Sequence, residues 1–282
     1  MKYEKNSISV LDVYITGKCN FQCPYCFGED SEKVDISLET FSKVLNFARY
    51  TGSSIGLTGG EPLLHDNLRD LVYLANKKKV PLILRTNGII LNEFIDILHQ
   101  FEWIGVSIDG IGKINNILRP NSKNYNYTIN EKIKLPLDNI KLIKRRYPKQ
   151  KILLASLATS FNLESLIDLA LLLSKKNIPV HKWKIYQFTR NHFRSLNVSK
   201  KYDIETKMFS NFEKILNSKF NGELIFKYGE GNCIIIDTIG NVRINQKIIG
   251  SINDNYSKLV ENILNTDEYC KIIDNKGVTY ND

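Results

Sequence analysis

Short β-rich segments alternate with helical patterns from residue 9 onward, and this alternation constrains the fold more than any other feature. Composition and periodicity predict strands over residues 10–15, 55–57, 80–84, 103–108, 152–158 and 183–186. Helices are predicted over residues 37–50, 68–75, 91–101, 130–146 and 162–175. Strands that alternate with helices pair in parallel through crossover connections. The sequence therefore predicts an α/β fold, with a partial (β/α)6 barrel of the TIM type over residues 1–188.

The pattern loosens after residue 188, and we expect residues 189–282 to form a C-terminal α/β extension that closes the barrel. Residues 189–203 are predicted to be a loop beside the site, followed by a helix that carries Phe209, Phe212 and Leu216 on one face. A turn at residues 239–241 joins two predicted strands, and residues 256–264 form a last predicted helix.

Composition and charge describe an ordinary globular protein. The chain is 43% hydrophobic and 24% charged, and its net charge of +9 comes from scattered lysines and short basic runs near predicted helix ends. Such runs indicate solvated surface, so a nucleic-acid partner is not expected, whereas an anionic substrate stays open. The N-terminal segment shows neither a secretory signal nor a long apolar span, so we expect a cytoplasmic protein without a membrane partner.

Three of the five cysteines, Cys19, Cys23 and Cys26, lie in one loop directly after the first predicted strand. Three thiolates at this spacing can hold three corners of a [4Fe-4S] cluster and leave the fourth iron open to another ligand. A zinc site, a disulfide and chance are the alternatives, and zinc normally needs a fourth protein ligand. Cys233 and Cys270 lie apart from this loop, and we expect Cys233 to be buried beside apolar residues.

The CxxxCxxC spacing, with the aromatic Tyr25 directly before the last cysteine, resembles the radical S-adenosylmethionine (SAM) superfamily. The resemblance implies that the three cysteines ligate a [4Fe-4S] cluster whose open iron binds SAM. It also implies reductive cleavage of SAM to a 5'-deoxyadenosyl radical, which abstracts hydrogen from a substrate. An electron donor such as flavodoxin or ferredoxin is then expected as a partner.

The same resemblance assigns residues to SAM. Gly59, Gly60 and Glu61 follow the second predicted strand and resemble the GGE motif of the family, which contacts the SAM amino group. Two glycines permit a close backbone approach, and a carboxylate can accept a hydrogen bond from an amino group. Tyr25, in the cysteine loop, is also expected to contact the cofactor.

Further SAM contacts are expected where later strands end. Thr86 and Asn87 follow the third strand and Ser107 ends the fourth, and their polar groups suit a ribose or a carboxylate. Arg119 resembles an arginine that the family pairs with the SAM carboxylate. Tyr186 lies at the end of strand six, where family members contact adenine.

Lys182 and Lys184 alternate along strand six and should share one side, where two cations can meet an anionic substrate. Residues 182–188, 161–162 and 234–245 resemble the viperin-like nucleotide dehydratases, in which basic residues on this strand hold a nucleoside triphosphate. That group has lysine, lysine and asparagine where this sequence has Ser54, Leu153 and Ala155.

Other functions are also compatible with the sequence. Small radical SAM proteins also modify peptides, in the manner of maturases of ribosomal peptides, so the substrate is expected to be a small molecule or a peptide. A glycyl-radical activating enzyme fits the sequence less well. From another class, a non-catalytic iron-sulfur or zinc-binding module would need the cysteines but would not require Glu61, Ser107 and Arg119 at successive strand ends.

Overall fold

A computed structural model of the 282-residue chain describes residues 8–26, 34–190, 198, 200–229, 233–244, 247–267 and 269. The chain divides into two compact units. The first comprises residues 1–18, 31–84 and 231–282, and the second comprises residues 19–30 and 85–230. The predicted boundary at residue 188 stays a prediction.

The described residues of the first unit form the strands β1 (Val10–Thr16), β2 (Ser54–Gly59), β3 (Leu82–Thr86), β8 (Ile234–Ile236), β9 (Asn241–Ile244) and β10 (Lys247–Ser251). The end of β3 already belongs to the second unit. The strand order is β10-β9-β8-β1-β2-β3. β1 pairs in parallel with both β2 and β8, whereas β9 pairs in antiparallel fashion with β8 on one side and β10 on the other.

Accompanying these strands are the helices α1 (Leu38–Thr51), α2 (Leu68–Lys77) and α7 (Tyr256–Leu264). Ser37 caps α1 by accepting the Thr40 backbone N–H through its side chain, and Gly52 ends the helix in the left-handed conformation. The apolar side chains that predicted α1 are buried against the sheet's core. The predicted strands and helices of this unit are confirmed.

The second unit contains β4 (Trp103–Ser107), β5 (Lys151–Ala158), β6 (Lys182–Gln187) and β7 (Glu223–Lys227), all parallel and in that order. Its helices are α3 (Gly112–Leu118), α4 (Glu131–Arg146), α5 (Leu163–Lys175) and α6 (Thr206–Asn217). The predicted helical face of α6, with Phe209, Phe212 and Leu216, is buried as expected. The predicted loop over residues 189–203 is described in part, and residues 191–197 and 199 lie outside the described residues.

One predicted helix, over residues 91–101, is wrong. This segment forms two short 3-10 helices, Leu91–Phe94 and Leu98–Gln100, closed by backbone bonds between residues three apart. The β-branched side chains of Ile95 and Ile97 disfavour a continuous α-helix, and the connection is short. α3 and the parallel pairing of β7 with β6 were not predicted.

Candidate functional site

The cysteine loop follows β1 and is held by the segment that follows α3. Gln22 donates its backbone N–H to the Pro120 carbonyl at 2.9 Å, and Ser122 donates to the Asn20 carbonyl at 3.0 Å. The Ser122 hydroxyl also donates to the Cys19 carbonyl at 3.0 Å. The loop is therefore fixed by contacts a hundred residues away along the chain.

The three thiols of this loop lie close enough to interact electrostatically. Burial raises the pKa of the Cys23 thiol, and the charge of Arg119 opposes that rise. The neighbouring Cys26 and Cys19 raise the pKa of Cys23 further. Three sulfur donors in one loop, all half-buried and without a disulfide, match the donor set of a [4Fe-4S] cluster. The described residues contain no group of three or more His, Cys, Asp or Glu side chains arranged around a single metal ion.

Tyr25 connects the cysteine loop to the end of β4. Its hydroxyl donates to Asp109 Oδ2 at 2.9 Å, and Arg119 Nε donates to the same oxygen at 2.7 Å. Burial alone would lower the pKa of Arg119, but the negative charge of Asp109 raises it above its ordinary value. Arg119 and Tyr25, predicted independently as cofactor residues, are thus brought together by one carboxylate.

Asp109 is a site residue that sequence reasoning missed. Its Oδ1 accepts the Leu157 backbone N–H at 2.8 Å, and its own backbone N–H donates to Asn115 Oδ1 at 3.2 Å. Asn162 donates to its carbonyl at 2.8 Å. Asp109 is only 1% exposed, and its carboxylate is fully paired. The available signal was a carboxylate directly after a buried strand and before a glycine.

Thr86 and Asn87 begin the connection after β3. Thr86 Oγ1 accepts the Gly88 backbone N–H at 3.0 Å, and Asn87 Oδ1 accepts the Ile89 N–H at 3.1 Å. Asn87 Nδ2 donates to Asn20 Oδ1 in the cysteine loop at 2.6 Å. The structure therefore brings Asn87 to the cysteine loop through a side-chain bond that the sequence did not suggest.

Ser107 and Tyr186 lie at the carboxyl ends of their strands. Ser107 is the last residue of β4, and Tyr186 is the penultimate residue of β6. Both side chains are half-buried, in contrast to the fully buried residues that precede them. In α/β sheets this end of the parallel strands is where ligands bind.

In the first unit, Gly59, Gly60 and Glu61 approach the backbone that leads into the cysteine loop. Gly60 N–H donates to the Thr16 carbonyl and Glu61 N–H to the Lys18 carbonyl, each at 2.8 Å. A Cβ atom on Gly60 would lie 2.1 Å from the Lys18 oxygen, so only glycine fits there. The Glu61 side chain is buried, and its Oε1 accepts the Leu63 N–H at 3.2 Å.

Lys182 and Lys184 share one face of β6, as predicted. On the neighbouring β7, Phe226 packs against Phe209 of α6, with ring centroids 5.7 Å apart. Ile185 pairs with Phe226 in the parallel register, so the two side chains lie on the same face of the sheet. The residues of β6 that alternate with Ile185, including Lys184, therefore point away from α6.

Lys227 joins this face and was missed by the sequence reasoning. It pairs in register with Tyr186 near the carboxyl ends of both strands, and burial lowers the pKa of its ammonium group. Lys184 is 5% exposed, whereas Lys182 at the opposite end of β6 forms an ion pair with Glu223 at 3.2 Å. Lys184 and Lys227 are therefore closer to the ligand-binding end than Lys182.

Cys233 is half-buried, so its predicted burial is wrong; it precedes β8 and does not lie within the strand. Cys270 lies outside the described residues. Among the described residues, every helix is too short or too polar to cross a membrane.

The sequence model of the radical SAM superfamily matches residues 13–173, more than half of the chain. The chain belongs to the radical SAM superfamily. It is accordingly a radical SAM enzyme, and the family implies both SAM and a [4Fe-4S] cluster as cofactors. The match begins within β1 and includes the cysteine loop, the GGE segment and Arg119.

Curated relatives of this radical SAM enzyme include several proteins named for nucleotide chemistry. An S-adenosylmethionine-dependent nucleotide dehydratase of Selenomonas ruminantium is 30% identical over 36% of this chain and 39% of its own length. A protein of the same name from Psychrobacter lutiphocae is 27% identical over 83% of this chain and 82% of its own length. A GTP 3',8-cyclase of Microcystis aeruginosa is 32% identical over 38% of this chain and 36% of its own length. The chain spans about two-fifths of the length of the first relatives that it matches.

Solved structures show the fold of the chain. SuiB of Streptococcus suis, bound to its precursor peptide SuiA, has a TM-score of 0.71 and 13% identity, over 93% of this chain and 66% of SuiB. The protein anSMEcpe with bound AdoMet has a TM-score of 0.70 and 16% identity, over 93% of this chain and 82% of its own. The predicted fold class, an α/β partial (β/α)6 barrel with a C-terminal α/β extension, is confirmed.

Proposed function

We propose that this radical SAM enzyme acts on a nucleoside triphosphate. The observation that carries the proposal is the pair Lys184 and Lys227, which lie on one face of β6 and β7 on either side of Tyr186. Two partly desolvated ammonium groups beside an aromatic ring suit a substrate that combines a polyphosphate with a base. The relatives named as nucleotide dehydratases and as a GTP 3',8-cyclase support this substrate class.

We further propose that the cluster is held by Cys19, Cys23 and Cys26. When bound and reduced by an electron donor such as flavodoxin or ferredoxin, the cluster supplies the electron that cleaves SAM to a 5'-deoxyadenosyl radical. The protein's own task is to fix the loop, to orient SAM and to exclude water.

The SAM contacts are proposed residue by residue. Glu61 would accept a hydrogen bond from the SAM amino group. Gly59 and Gly60 would allow SAM to approach the backbone closely. Arg119 would bind the carboxylate through its terminal nitrogens, because its Nε is already committed to Asp109. This division of one guanidinium between Asp109 and the ligand would fix the direction of the ligand's carboxylate.

The remaining contacts concern the nucleoside part of SAM. Thr86, Asn87 and Ser107 would meet the ribose or the carboxylate with polar groups at the strand ends. Tyr186 would contact adenine, and Tyr25 would hold the cofactor from the cysteine loop.

Lysine variants test the proposed substrate class. We expect Lys184→Met and Lys227→Met each to lower kcat/KM for the triphosphate about tenfold or more, since a charge-assisted hydrogen bond contributes about 1.5–3 kcal/mol. Uncoupled SAM cleavage should persist in both variants. Lys182→Met should have a smaller effect, because Lys182 begins β6 and lies farthest from the carboxyl ends of the strands.

Lys134→Met is the matched control, since Lys134 lies exposed on α4 in the same unit. Formation of 5'-deoxyadenosine would be measured with ATP, GTP, CTP and UTP in turn, with the four matching nucleosides, and with a peptide pool. Stimulation by the peptides, and by none of the triphosphates, would replace the nucleotide proposal with the peptide-modifying alternative. Equal kinetic constants for Lys184→Met and Lys134→Met would remove the assigned role of Lys184.

A further inference from the structure

Asn20 lies directly after Cys19, and its side chain is completely buried. Its Oδ1 accepts a hydrogen bond from Asn87 Nδ2 at 2.6 Å. The orientation of Asn87 is set independently, because Asn87 Oδ1 accepts the Ile89 backbone N–H at 3.1 Å. Asn87 must therefore present its amino group to Asn20, and Asn20 must present its oxygen in return.

This arrangement leaves the amino group of Asn20 in an unusual position. Within the part of the chain that the structure describes, the buried Asn20 Nδ2 has no hydrogen-bond partner. Burying such a donor without a partner costs about 1–3 kcal/mol, so a buried orphan of this kind indicates a missing acceptor. The Asn20 carboxamide could not relieve this cost by rotating, since rotation would turn its amino group toward that of Asn87.

The neighbouring atoms indicate which acceptor is missing. Asn20 Oδ1 lies 4.0 Å from Cys19 Sγ, so the carboxamide lies beside the first thiol of the cysteine loop. The same sulfur is 3.4 Å from the Phe21 backbone N–H, which donates to it. Once these thiols ligate iron, the sulfurs of the cluster can accept hydrogen bonds but cannot donate them, and the Asn20 carboxamide lies beside one of the ligating thiols.

We propose that Asn20 donates a hydrogen bond from Nδ2 to a sulfur of the bound cluster, and that Asn87 is the positioning residue that orients it. Reduction adds one negative charge to the cluster, and a fixed N–H dipole stabilises that charge. Asn20 therefore raises the reduction potential of the cluster and eases delivery of the electron to it. The inference depends on the cluster that the family implies and not on the identity of the substrate.

The midpoint potential of the reconstituted cluster tests this role. It would be measured in the absence of SAM, by redox titration followed by electron paramagnetic resonance. Asn20→Asp keeps the oxygen that Asn87 needs and removes the donor, and Asn20→Leu removes both polar groups. We expect both variants to retain their iron and to shift the midpoint to more negative values. Gln150→Met is the control, because Gln150 is also a buried carboxamide and is bonded to the Phe101 carbonyl. The midpoint potential of the cluster in this variant should stay native.

A second measurement uses the native protein and does not depend on the stability of the variants. In protein labelled with nitrogen-15 in asparagine, hyperfine spectroscopy of the reduced cluster should detect a coupled side-chain nitrogen. Absence of that coupling, or a native potential in both iron-replete Asn20 variants, would overturn the proposal. A potential shift that appears only after SAM is added would overturn it as well, because the amide would then donate to SAM.

Discussion

Arg119 donates its Nε–H to Asp109 Oδ2 at 2.7 Å, across the whole length of α3. Tyr25 of the cysteine loop donates to the same oxygen. One buried carboxylate therefore sets the positions of a loop residue and of an arginine expected to bind SAM. Since a buried charge is tolerated only when it is paired, the two donors and the acceptor depend on one another.

Replacing Asp109 should destabilise the protein strongly. In Asp109→Asn, the guanidinium of Arg119 would lose its counter-charge inside the protein, and breaking such a pair costs about 3–5 kcal/mol. Tyr25→Phe removes one neutral donor from the same oxygen and should cost only about 1–2 kcal/mol. Chemical denaturation followed by circular dichroism would measure both values. Equal losses in the two variants would show that the Asp109–Arg119 pair is not what holds this region.

Gly60 should be intolerant of any side chain. Its added Cβ would meet the Lys18 carbonyl at 2.1 Å, and relief requires the backbone at Gly60 or Lys18 to shift. We expect Gly60→Ala to lower the free energy of unfolding by about 3 kcal/mol and to weaken SAM binding. Gly112 is the comparison position, because its φ is positive but nothing lies within 4 Å of its added Cβ. Gly112→Ala should cost about 1 kcal/mol, and a Gly60→Ala variant as stable as this one would refute the close approach.

Local structure and cofactor type could be predicted from the sequence, because their signals are local. Ser37 predicts the start of α1 because it precedes an apolar helical stripe, and the cysteine spacing predicts the metal site. The bonds of Tyr25 to Asp109 and of Asn87 to Asn20 could not be predicted. They join residues 84 and 67 positions apart, and no periodicity in the chain encodes such pairs. Lys227 was missed for a related reason, since its importance arises from its register with Tyr186.

His181 should make stability depend on pH. Its Nδ1 accepts the Ile152 backbone N–H at 3.0 Å, which requires a neutral ring nitrogen. Burial lowers the pKa of His181, and the charge of Lys144 lowers it further. The unfolded chain takes up this proton near pH 6.5, so the contribution of His181 is complete above that pH and is lost as the pH falls toward its folded pKa.

The free energy of unfolding, measured between pH 8 and pH 5, would reveal this contribution by comparison with His181→Asn, which does not titrate. The wild-type advantage over the variant, about 1 kcal/mol at pH 8, should shrink as the pH falls below 6.5. A wild-type advantage that grows on acidification would mean that the folded protein favours the protonated ring.

Transfer of deuterium from substrate to 5'-deoxyadenosine would show that this enzyme abstracts hydrogen from a nucleoside triphosphate. The reconstituted enzyme would be reduced with dithionite and supplied with SAM and each deuterated nucleoside triphosphate in turn. The deuterium content of the 5'-deoxyadenosine would be measured by mass spectrometry. We expect 5'-deoxyadenosine that carries substrate deuterium with at least one triphosphate, and no 5'-deoxyadenosine from Cys26→Ala. Unlabelled 5'-deoxyadenosine with all four triphosphates would contradict the proposed substrate, and no 5'-deoxyadenosine from the iron-replete wild type would contradict the assigned chemistry itself.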